Sequence, residues 1–227
     1  MLIKSFGCSF IFGNDLPDTS GDTASNLTWP ALVAKKLSVD YQCYAQGGSG
    51  NFQILKRILH HAATDVAQDV FYIIGWTWMD RFDYIQSSSS TNNWKEHWQT
   101  ITPTTKSRAA NFYYKNFHSE LNDKLSSLIN IRSAVDILEQ KRIRFLMTFM
   151  DNLIFDRQWH APNAVVDCQD RVRPYLHTFD DVTFLEWSKE KGFPISETLH
   201  PLKEAHVAGA ELMLPKVRDL LDTSSVL

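Results

Sequence analysis

The chain has 227 residues, 44% hydrophobic and 22% charged, a composition that excludes disorder over most of its length and suits one substantial core. Its formal net charge is -3 with no dense Lys/Arg block, so the electrostatic footprint of a nucleic-acid partner is missing. Cys8, Cys43 and Cys168 lie far apart in no ligand spacing, which argues for reduced thiols and against a disulfide framework or a structural zinc; no metal and no cofactor is expected.

The opening LIKSF, residues 2–6, must be a strand, because Gly7, Gly13 and Pro17 break any helix. Thr28 before Trp29 and Pro30 reads as an N-cap opening the helix ALVAKKL. Residues 39–45, VDYQCYA, alternate like a second strand and run into the turn GGSGN. Asn51 is placed there to cap a helix whose Phe52, Leu55, Ile58 and Ala62 form a stripe. VFYIIGW, 70–76, is nearly continuous apolar, as in a strand covered on both faces.

From the polar run SSSSTNN at 87–93 to about residue 110 the chain has the look of a surface insertion. Leu121, Leu125, Leu128, Val135 and Leu138 mark a long helix, KRIR at 141–144 is its solvated end, and IRFLMTFM is a further buried strand. Residues 151–180 read as irregular with short helices. VTFLEWSKEKG is a short helix ended by Gly192, and Pro201 opens a last helix to about Leu221, kinked at Pro215. Strands alternating with helices predict an α/β, three-layer α/β/α architecture with a parallel flavodoxin-like sheet and loop insertions, one domain over 1–227. The N-terminus has no apolar signal core and no segment is long enough to span a bilayer. No membrane partner is expected, and the product is expected in the cytoplasm as synthesised.

In an open parallel sheet, ligands bind at the carboxyl ends of the strands. The residues there are GCS (7–9), GGSG (47–50), GWT (75–77) and MDN (150–152). Near the C-terminus, ETLHP places Glu197 three residues before His200, a spacing from which a carboxylate can fold back onto the imidazole's second nitrogen. Serine, histidine and a carboxylate at loop positions form a nucleophile constellation. Taken singly, Ser9 is also what a turn serine bonding its own backbone looks like, and Glu197 what a solvated acid near a helix N-terminus looks like.

In their order these blocks resemble the SGNH (GDSL-like) hydrolases, in wording closest to variants met in bacteriophage and bacterial genomes. A phage-encoded product would be virion-associated or released. The resemblance implies Ser9 as nucleophile, His200 as general base and Glu197 as its orienting acid. It implies an oxyanion hole from the N–H groups of Ser9 and Gly50 with Thr77, which stands where that family has Asn. It also implies a serine esterase removing a short acyl group such as acetyl, the substrate a small-molecule or carbohydrate ester. Trp76 and Arg81 are candidate substrate-binding residues, although Arg81 is equally placed to pair with a neighbouring acid.

His206 is expected to be a satisfied structural histidine, and Cys8 to be packing. A catalytically silent glycan-binding or structural module, using Trp76, Trp78, Trp94, Trp98 and Trp159 as its contact surface, is the second reading. A nucleotide-binding protein with GGSGN cradling phosphate is a third, but neither GxxxxGK[ST] nor GxGxxG occurs.

Overall fold

The computed structural model describes residues 1–86 and 98–222. In chain order its strands are β1 (Leu2–Phe6), β2 (Asp40–Cys43), β3 (Val70–Trp76), β4 (Phe82–Ile85), β5 (Trp98–Ile101) and β6 (Arg144–Phe149). Its helices are α1 (Ser9–Phe12), α2 (Trp29–Leu37), α3 (Asn51–Ala62), α4 (Arg108–Asn116), α5 (Glu120–Lys141), α6 (Asn163–Val172), α7 (Phe184–Glu190) and α8 (Lys203–Asp222).

A parallel sheet in the order β2-β1-β3-β6 forms the middle layer, with Leu2 facing Asp40 on one side and Val70 on the other. Every residue of β3 is buried, and their alternation explains both outer layers. Phe71 and Ile73 join Ile3 and Leu146 in a core closed by α2, α7 and α8. Val70, Tyr72, Ile74 and Trp76 join Phe6 and Met147 in a second core closed by α3, α5 and α6. The expected α/β/α architecture is therefore present.

Around the expected insertion, β4 and β5 pair as an antiparallel hairpin, and Ser107 caps α4 by accepting the Ala110 N–H. Two local expectations are corrected. Asn51 does not cap α3. It is the first residue of that helix, Gly50 is the N-cap, and the Asn51 side chain crosses to the loop after β3. The last helix begins at Lys203 rather than Pro201 and runs on through Pro215 to Asp222.

Thr28 is the N-cap of α2 without using its hydroxyl as a cap. The Trp29 N–H is instead taken by Nδ1 of the buried His206, at 3.1 Å, which ties the start of α2 to α8. An orphan donor at a helix start needs such a partner when water is excluded.

Candidate active site

Because β1, β2, β3 and β6 are parallel, the residues that follow them meet at one edge of the sheet. Gly7 leaves β1 where a Cβ would lie 2.6 Å from Ile11 Cγ1 and 3.0 Å from the Gly75 carbonyl oxygen. Only glycine lets the first turn of α1 settle on the strand ends, with Ile11 wedged against both Gly7 and Gly75. Ser9 opens that turn, 4% exposed. The first N–H groups of a helix have no intrahelical partner, and among the described residues the Ser9 N–H and Oγ have none elsewhere.

His200 comes to this edge on the loop before α8. Its Nδ1 lies 2.7 Å from Asp15 Oδ2, and its ring meets Phe10 edge-on, centroids 5.2 Å apart. Phe10 is the residue after Ser9, so the imidazole packs against the same short helix that Ser9 opens. No hydrogen bond closes between Ser9 Oγ and Nε2 in this structure, a looseness common in unliganded sites. The Asp15 carboxylate is held down at about 2, chiefly by the Thr198 hydroxyl, then by the Ser196 hydroxyl and the His200 imidazole. It is thus ionised throughout the neutral range, as an orienting acid must be.

Asp15 takes the place expected for Glu197. Glu197 is exposed and makes no hydrogen bond or ion pair among the described residues. The cause is local: Ser196 N–H bonds to the His200 carbonyl, Leu199 N–H bonds back to Ser196 and Leu199 takes φ +65°, closing a tight loop. That loop turns the hydroxyls of Ser196 and Thr198 towards Asp15. The signal for Asp15 was an acid six residues beyond Ser9, in a turn at the same sheet edge.

The oxyanion side departs further from expectation. The Gly50 N–H donates to Asp83 Oδ1 at 3.0 Å, and Asp83 also accepts the Gln53 N–H, Gln53 Nε2 and the Thr100 hydroxyl. A carboxylate thereby covers the start of α3, where an anion is best stabilised, and leaves no room there for a bound phosphate. Thr77 is buried and its Oγ1 has no partner, while its N–H and carbonyl are both tied to the Asn51 side chain, which also donates to Ser127 Oγ. Its hydroxyl is sealed away from any ligand.

Trp76 is corrected too: strand alternation buries it completely, with Nε1 on Met147 Sδ. Arg81 donates to the Ser49 carbonyl at 3.1 Å and lies 5.0 Å over the Trp78 ring, which in turn packs edge-on against Phe10. Of the other tryptophans, Trp159 lies under Lys124 and Trp98 against Phe52, while Trp94 lies outside the described residues. Cys8 is 1% exposed in the core, and His206 is buried.

The chain matches no established family profile and no curated protein sequence. Solved structures share its fold. The psychrotrophic esterase EstA from Pseudoalteromonas sp. superposes with a TM-score of 0.55 at 11% identity over 97% of this chain and 98% of its own. TesA does so at 0.55 and 14%, over 97% and 99%. A carbohydrate esterase whose active site has divergent catalytic and non-catalytic binding functions matches at 0.53 and 16%, covering 96% of this chain and 64% of that one. The central parallel sheet flanked by helices is thus a fold found in esterases.

Proposed function

We propose that the protein is an ester hydrolase of the SGNH type, with Ser9 as nucleophile, His200 as general base and Asp15 as the acid that orients it. The observation that carries this reading is the 2.7 Å contact of His200 Nδ1 with Asp15 Oδ2, beside the turn that presents Ser9. With Nδ1 held by a carboxylate, the imidazole keeps Nε2 free to take the serine proton. Ser9 Oγ then adds to the ester carbonyl, the alcohol leaves with the proton returned by His200, and water releases the acyl group through the same base. The unpartnered Ser9 N–H is the available donor for the oxyanion.

Hydrolysis of p-nitrophenyl acetate by the wild type, lost in Ser9→Ala and His200→Ala, is the expected result. Equal hydrolysis by Ser9→Ala would end the reading.

A silent glycan-binding module is the second reading. It is favoured by one feature, the engagement of Gly50 N–H by Asp83 together with the buried Thr77 hydroxyl, which leaves the Ser9 N–H alone of the three expected oxyanion donors unengaged among the described residues. Folded wild type that binds glycan without turning over any acetyl ester would select it.

A further inference from the structure

On the α3 and α5 side of the same sheet edge lies a cavity of about 380 Å³, within the range of roughly 300–1,000 Å³ usual for small-ligand sites. Its walls come from the start of α3, the loop after β3, β4, α4 and the first turns of α5. Phe52, Phe82 and Ile129, 48%, 37% and 47% exposed, all line it. Large apolar side chains left in water singly need no explanation, but three converging on one cavity do. Phe82 stacks on Tyr113, another wall residue, at 4.0 Å and 19°, which gives the cavity a flat aromatic side.

Apart from Met79 its remaining walls are polar, among them Asn122, Ser126 and Asn130 from α5, with Asp83, Asp123 and Arg81. This mixture selects a ligand class. An acyl chain would bury the Asn122 and Asn130 amides against hydrocarbon, where they lose their water. An anion would meet two carboxylates against one cation, and Arg81 is already engaged by the Ser49 carbonyl and the Trp78 face. A pyranose matches both surfaces, since its apolar C–H face stacks on an aromatic ring while its hydroxyls both donate and accept.

We infer that this cavity binds a sugar ring of a neutral oligosaccharide. Its wall residue Arg81 is linked to the candidate active site by a relay of ring contacts, Arg81 on Trp78, Trp78 on Phe10 and Phe10 on His200. In naming the alcohol part of the substrate the inference rests on the esterase reading; as a binding site it stands without it.

The test is calorimetric titration of full-length Ser9→Ala protein with cellohexaose, xylohexaose, chitohexaose and maltohexaose. Binding of at least one, weakened tenfold or more in Tyr113→Ala and in the α5 pair Asn122→Ala/Asn130→Ala, is the expected result. The paired substitution guards against a misfolded aromatic variant, because neither amide is buried and alanine is the best helix former. Absence of binding to all four sugars, or binding unchanged by both variants, overturns the inference. Octanoate binding that is lost in the same variants would overturn it in favour of an acyl site. Acetyl-ester turnover by the wild type is scored separately, so failure of the pocket and failure of the esterase reading are distinguishable.

Discussion

Single atoms decide which donors are available at this sheet edge. Thr77 stands where the resembling family has an oxyanion donor, yet its Oγ1 is buried with no partner and its main chain is fixed by Asn51. Thr77→Val exchanges an unpaired buried hydroxyl for a methyl of the same shape. The substitution is expected to leave esterase turnover within about twofold and to raise stability by up to about 1 kcal/mol. A donor role would instead cost roughly 10²- to 10³-fold in kcat, which steady-state kinetics separates easily. The acid shows the same lesson about reach. Asp15 and His200 are 185 residues apart, so no local spacing pointed to their contact, whereas the short spacing of Glu197 to His200 invited an assignment that the loop geometry turns away.

At the scale of elements, the buried strands were the legible part. β3 was readable to its ends because a strand covered on both faces has no polar residue to blur its limits, and β1 because glycine and proline close in behind it. The hairpin of β4 and β5 and the helix α4 were not. Their aromatic residues are partly exposed, so the apolar period that marks a buried face is absent from Arg108–Asn116, where Ala110 alone is buried. Asn51 was misread for a related reason: Asn at a helix start is a common cap, and only the tertiary contact with Thr77 and Ser127 shows it serving another loop.

The join between α2 and α8 carries a pH dependence of its own. Burial drives His206 down to about 3, so the folded protein keeps it neutral to accept the Trp29 N–H. Between the unfolded value of about 6.5 and that folded value the unfolded chain binds the additional proton. Stability from this residue is therefore complete above about 6.5 and is lost as pH falls towards 3. His206→Gln, which keeps an acceptor but does not titrate, is expected to show a shallower loss in urea denaturation between pH 7 and 4. Asp123, pushed up to about 6 mainly by burial, contributes with the opposite sign. The comparison is therefore made variant against wild type at each pH, and parallel curves would remove His206 as the cause.

Over the whole molecule, the two cores hold one parallel sheet whose carboxyl edge collects the groups of the candidate site: Ser9 and Asp15 after β1, the Gly50 turn after β2, Thr77 and Arg81 after β3, and His200 on the loop before α8. The general position of a site was readable from topology alone, since parallel strands deliver their ends together. Its acid and its donors were not, because hydrogen bonds between residues distant in sequence choose among groups that look equivalent along the chain. Asp15 rather than Glu197, and Asp83 on the Gly50 N–H, are both choices of that kind.

The account turns on Ser9 being activated by His200 and Asp15, and the rate of covalent labelling by a fluorophosphonate reads that most directly. The wild type is expected to be labelled at Ser9, with no labelling in His200→Ala, roughly 10²- to 10⁴-fold slower labelling in Asp15→Asn, and a wild-type rate in Glu197→Gln. Folded wild type that takes no label, or loss on Glu197→Gln with Asp15→Asn unaffected, would contradict it.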